Sequence, residues 1–233
     1  LLPLAGEHVA DINPRGDSMI RCSIIATITA ATFSLFTTIA SATVIPPTGS
    51  LVCDASGREQ FRPDVPSTPG ADDVKLKATG RVEDCDDSAV TGGKAPINGG
   101  SITVSATMLK GTVACSNWTA ETVEFAKMKA TIKLQHSVTL PDGRTRTTTV
   151  ATLRPVIERM GTTRINGGAG IELFGYIKQN KRGNAPFGNN RFSAVLTATS
   201  DAGIACADGT GPVAELTFDN VDLGYSAIFL NAR

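Results

Sequence analysis

From Val74 to Val82 the chain alternates residue by residue. Val74, Leu76, Ala78 and Gly80 share one parity; Lys75, Lys77, Thr79 and Arg81 share the other. A period of two places apolar side chains on one face of a strand and polar ones on its back, so the segment predicts a half-buried β-strand. The pattern returns over residues 101–109, with Ile102, Val104, Ala106 and Met108 pointing inward. Further strands are predicted at 51–53, 170–177, 191–199, 213–218 and 226–230. Residues 130–140 and 145–153 form a hairpin about Pro141-Asp142-Gly143, where proline presets φ and glycine tolerates the rest of the turn.

Two stretches read differently. Residues 61–73 carry three prolines and predict a loop, because proline cannot donate to a sheet ladder. Residues 119–128 open like a helix, with Thr119 as a potential N-cap. However, Val123 and Phe125 fall on one parity while Met128, Ala130, Ile132 and Leu134 fall on the other. A strand with a bulge near Ala126 accounts for that switch. With no long amphipathic run anywhere, the expected fold is all-β: an antiparallel β-sandwich, Ig-like or barrel-like. The connection 155–168 is the one place where residues 43–233 could subdivide.

Residues 19–42 (MIRCSIIATITAATFSLFTTIASA) match a secretory signal peptide. They hold a methionine, basic Arg21, an apolar run and the ending Ala40-Ser41-Ala42. The expectation is that 1–18 lie upstream of the fold, that 19–42 are removed, and that 43–233 are secreted with no membrane span retained. Cys22 leaves with the signal. The four remaining cysteines, Cys53, Cys85, Cys115 and Cys206, then predict two disulfides, with all three connectivities open.

Candidates for chemistry are few. His136 is the one histidine after the signal, and it shares parity with Ile132 and Leu134. That makes it a sheet or rim residue before it is a general base. Glu83, Asp84, Asp86 and Asp87 crowd around Cys85 and form a calcium candidate without EF-hand spacing; Asp219 and Asp222 form a lesser one. Aromatic residues are 5% of the chain, too few to suggest sugar-stacking platforms. Trp118, close to Cys115, reads as core, and Asn117-Trp118-Thr119 fits the N-glycosylation pattern. With 22 basic and 22 acidic residues the chain is neutral overall, which predicts no footprint for nucleic acid or anionic lipid and a scattered, solvated set of charges.

The order of the PDG hairpin, a Gly-rich stretch, Arg191-Phe192-Ser193 and Ile204-Ala205-Cys206-Ala207-Asp208-Gly209 resembles small exported β-rich proteins of actinobacteria of unassigned function. The similarity covers residues 53–218. It departs at Leu134 and His136, where a tryptophan strand is expected. It implies an extracytoplasmic compartment and a β fold, with no catalytic residues to transfer. The function expected is a secreted, non-catalytic binding or envelope-associated module whose partner is an extracellular protein or polymer. Two alternatives stand beside it: a hydrolase using dispersed carboxylates with or without calcium, and an enzyme inhibitor presenting loop 61–73.

Overall fold

The computed structural model describes residues 45–93, 95–120, 122–219 and 226–232; the predicted export segment and Asp222 lie outside these. In chain order the elements are β1 (Thr48–Gly49), β2 (Leu51–Val65), β3 (Val74–Asp86), β4 (Val90–Thr91), β5 (Gly99–Met108) and a 3-10 turn at Cys115–Asn117. There follow β6 (Phe125–Thr139), β7 (Thr145–Leu153), β8 (Val156–Ile165), β9 (Gly168–Tyr176), β10 (Arg191–Ala198), α1 (Asp201–Ala207), β11 (Val213–Phe218) and β12 (Ala227–Asn231). The chain is all-β and antiparallel, as its alternation predicts. Ten strands hydrogen-bond into one continuous sheet: nine in the order β7-β6-β5-β3-β2-β12-β10-β9-β8, with β11 joining as a branch on β2, while β1 and β4 pair separately.

The fifteen-residue β2 organises this sheet. One edge pairs with β3 from Val52 to Arg62. The other edge is shared: β12 covers Leu51–Asp54, and β11 covers Gly57–Gln60 and Val65. At the far ends, β7 passes into β8 through Arg154 and Pro155 alone. β8 packs back against β6, so the sheet curls around one core. Ile102, Ile132, Leu134, Ile171, Phe192, Leu196 and Phe218 fill it. Burial of each such side chain contributes roughly 1.5–3 kcal/mol.

Several expectations need correction. Residues 61–65 continue β2 instead of opening a loop. Pro63 is tolerated because pairing to β3 ends at Arg62 and pairing to β11 skips from Gln60 to Val65, so no ladder bond is lost there. Residues 156–165 are a full strand, β8. A register shift between Ile157 and Arg159 breaks its alternation and hides it from a period-two reading. Residues 119–120 and 122–124 precede β6 and are not strand, although the predicted bulge is real: Lys127 has φ 53° where β6 slips against Ser105 and Thr107. The seven-residue α1 went unread, being too short for periodicity; Ser200 caps it by accepting from the Gly203 amide at 3.4 Å. The PDG hairpin forms as expected. Leu140 N–H donates to the Arg144 carbonyl at 2.7 Å, and Asp142 Oδ1 accepts from the Arg144 amide at 3.0 Å.

The disulfide pairing is resolved. Cys53 joins Cys85 across β2 and β3, and Cys115 joins Cys206, tying the 3-10 turn to α1.

Candidate functional site: a cationic trough on the outer sheet face

The polar parity of the central strands builds the most distinctive surface. On β3 the outward residues are Lys75, Lys77, Thr79 and Arg81; on β5 they are Ser101, Thr103, Ser105 and Thr107. On β6 they are Lys129, Thr131 and Lys133, with Lys127 on the bulge. Register aligns them across the sheet. Lys77 faces Ser105, which faces Lys129; Arg81 faces Ser101, which faces Lys133; Lys75 faces Thr107. The outward lane of β5 from Ser101 to Thr107 therefore consists of hydroxyls, and the lanes one strand away on either side are cationic except at Thr79 and Thr131, which flank Thr103. Strands lie about 4.8 Å apart, so the two cationic lanes stand roughly 10 Å from each other. A depression of about 500 Å³ follows from this contrast of short and long side chains. Lys75, Lys77, Lys127 and Lys129 form its walls over Thr103, Ser105 and Thr107. A second depression of about 350 Å³, bordered by Gln60, Arg62, Lys75 and Lys77, extends the surface onto β2. A third, about 790 Å³, continues past Arg58, Thr79 and Arg81 toward Glu215 and Asp219.

These cations are largely uncompensated. Among the described residues the single ion pair on this face is Arg81–Glu83 at 3.8 Å, between two exposed side chains. Glu215, at the β11 edge, accepts instead from Gln60 at 3.0 Å. Overall neutrality therefore concealed a sorting of charge. Lysines scattered along the sequence become neighbours, because every second residue of three adjacent strands faces the same way.

The four acidic residues of the predicted calcium candidate take part in local structure. Glu83 pairs with Arg81, and Asp84 takes a left-handed backbone at φ 45°. Asp86 Oδ1 accepts from the Ser88 amide at 3.0 Å, and hydrogen bonds from Ser88 hold its carboxyl below the usual aspartate range. Asp87 Oδ2 accepts from the Ile97 amide at 2.7 Å. No group of three or more His, Cys, Asp or Glu side chains converges among the described residues. His136 lies half-buried where β6 runs past the end of β5, and its Nδ1 has no hydrogen-bond partner. Trp118 is core, as predicted: its ring meets Phe61 edge-on at 6.1 Å and its Nε1 donates to the Gly170 carbonyl at 3.1 Å. Asn117 spends its amide on the Thr112 carbonyl at 2.8 Å.

The loop after β2, considered as an inhibitor loop, is pinned to the body of the protein. Cys115 N–H donates to the Pro66 carbonyl at 2.9 Å, Gly111 N–H to Gly70 at 3.0 Å, and Lys110 N–H to Asp73 Oδ1 at 2.9 Å. One residue that sequence reading missed is Glu59. It is 1% exposed on the inner face of β2, neither carboxyl oxygen has a partner, and burial pushes its pKa up to about 8. A group so enclosed cannot meet a dissolved substrate.

Two disulfides belong to an oxidising, non-cytoplasmic environment. Among the described residues no helix is long and apolar enough to cross a membrane. Comparison with protein-family models, with curated proteins and with solved structures returns no match. Fold and surface together define an all-β, disulfide-stapled domain with a cationic, hydroxyl-lined outer face.

Proposed function

We propose that this chain is a secreted, non-catalytic binding module that holds a polyanionic extracellular partner on the outer face of β2, β3, β5 and β6. The observation that carries the reading is the sorting of charge: Arg58, Arg62, Lys75, Lys77, Lys127, Lys129 and Lys133 share that face, and among the described residues none of them has an ion-pair partner. Each exposed cation is worth little alone. A polymer that neutralises several at once gains from all of them and from the counterions it releases. The export segment and the two disulfides support an extracellular setting. The charge sorting favours binding over the alternative of a hydrolase using dispersed carboxylates, for which no specific arrangement speaks among the described residues.

The test is retention on immobilised polyanions across a salt series. We expect binding whose logarithm falls linearly with the logarithm of salt concentration, and its loss in the triple variant Lys75→Glu, Lys77→Glu, Lys129→Glu. Circular dichroism of the variant controls for folding. Failure to bind any polyanion at low salt, or undiminished binding by the folded triple variant, would overturn the proposal.

A further inference from the structure

Building on that reading, we infer that the occupant is a single unbranched acidic polysaccharide chain lying along β5. Its ring hydroxyls rest on the floor of Ser101, Thr103, Ser105 and Thr107, and its anionic substituents reach the lysine walls. Among the described residues none of these four hydroxyls hydrogen-bonds another side chain or backbone group. A Ser or Thr hydroxyl both donates and accepts. A sugar hydroxyl has the same dual character, so both sides of each bond can be satisfied at the floor. A chain of bare phosphates or sulfates only accepts, so it can take a hydrogen bond from each floor hydroxyl and return none.

The walls add the charge requirement and the width. Lys75 and Lys77 on one side and Lys127 and Lys129 on the other border the 500 Å³ depression. Cation lanes roughly 10 Å apart, measured backbone to backbone, admit one extended chain between them. A duplex is too broad to reach the floor, and a bilayer surface touches lysine tips while leaving the hydroxyl lane unfilled. Successive outward positions along a strand recur about every 7 Å, so an extended chain meets a fresh hydroxyl and a fresh pair of wall positions at each step. Single-stranded nucleic acid is disfavoured on different grounds. It relies on aromatic side chains for base stacking, and the outward positions of β3, β5 and β6 contain no aromatic residue.

Two sets of variants separate this inference from the broader reading. The floor variant Thr103→Val, Ser105→Ala, Thr107→Val keeps every cation and suits a strand, because valine matches threonine in shape. The wall variant is the triple lysine substitution above. The probes are a polyuronate, its neutral unbranched counterpart, inorganic polyphosphate, oligo(dT) and anionic vesicles, each titrated against full-length protein. We expect the polyuronate to bind at least tenfold tighter than polyphosphate or oligo(dT) of equal charge, and the neutral chain not to bind. The floor variant should lose about tenfold for polyuronate and be unchanged for polyphosphate; the wall variant should lose both. Reductive methylation in the presence of polyuronate should protect Lys75, Lys77, Lys127 and Lys129 while leaving Lys178 and Lys181 reactive.

Equal or tighter binding of polyphosphate, an unaffected floor variant, vesicle binding without polysaccharide binding, or protection centred on Lys178 and Lys181 would each overturn the polysaccharide assignment. The first three leave the cationic surface reading intact. Absence of binding to every polyanion removes both.

Discussion

Glu59 offers a sharp test of how the core is built. It sits between Ala78 of β3 and Leu216 of β11, 1% exposed, with both carboxyl oxygens unpartnered. Removing a charge from water without a partner is costly, so the folded protein keeps this group protonated; burial moves its pKa from 4.5 to about 8. An unfolded chain releases that proton near pH 4.5. Between pH 4.5 and 8 the folded state therefore binds more protons than the unfolded one, and stability must fall as pH rises. One pKa unit corresponds to about 1.4 kcal/mol, so the shift amounts to roughly 5 kcal/mol lost between pH 4.5 and pH 8. Against a typical total of about 5–15 kcal/mol, that is a large fraction. The assay is urea unfolding from pH 5 to pH 9 for wild type, Glu59→Gln and Glu59→Leu. Glutamine keeps the shape and cannot ionise. It should match wild type near pH 5 and exceed it by roughly 4–5 kcal/mol at pH 9. Leucine removes the unpartnered oxygens and should be the most stable of the three at alkaline pH. Parallel wild-type and glutamine curves across this range would refute the reasoning, because no other difference between the two proteins is titratable.

Two further perturbations follow from the same core. Serine replacement of Cys115 and Cys206 should destabilise the fold more than replacement of Cys53 and Cys85, because their bridge closes 91 residues against 32; the chain-entropy relation gives roughly 5 and 4 kcal/mol, measurable by urea unfolding of each double-serine variant. Gly80→Ala should destabilise by about 2–3 kcal/mol, read as a lowered melting temperature. A Cβ there would stand 2.8 Å from Phe218 Cζ and press on the Ser56 carbonyl, and neither a packed ring nor a paired strand can yield cheaply.

The fold was legible where alternation ran unbroken. Val74–Val82, residues 101–108 and residues 130–134 carry their own period of two, and Pro141-Asp142-Gly143 announces its turn; the extension of β3 through Asp86, past the left-handed Asp84, does not show in the pattern. Legibility failed where the backbone itself departs from period two. The shift after Ile157 scrambles β8, and the left-handed Lys127 breaks β6 into two parities. Pro63 disguised the end of β2 because its harmlessness depends on which partner strand happens to be absent, a tertiary fact. Glu59 was unreadable for a similar reason. Its parity with Ala55 and Phe61 would have placed it inward, but only a strand known to run unbroken through residues 51–65 makes that parity meaningful.

The trough shows why composition misled where pattern did not. Net charge sums over a chain, whereas a binding surface depends on which charges share a face. The sequence already contained the two ingredients, Lys75-x-Lys77 on one strand and Ser101-x-Thr103-x-Ser105-x-Thr107 on another. What it lacked was the order β3-β5-β6, which decides that hydroxyls lie between cations. Placing β5 at an edge would give a hydroxyl margin beside a lysine stripe, with no floor and no walls. A one-residue slip of β6 against β5 would turn Lys129 and Lys133 into the core, at a desolvation penalty no strand could absorb. The apolar parity of Ala130, Ile132 and Leu134 forbids that slip. The same burial that holds β6 in register therefore also fixes the spacing of the cationic wall, so any substitution that loosens the inner face should weaken the proposed polyanion binding on the outer one.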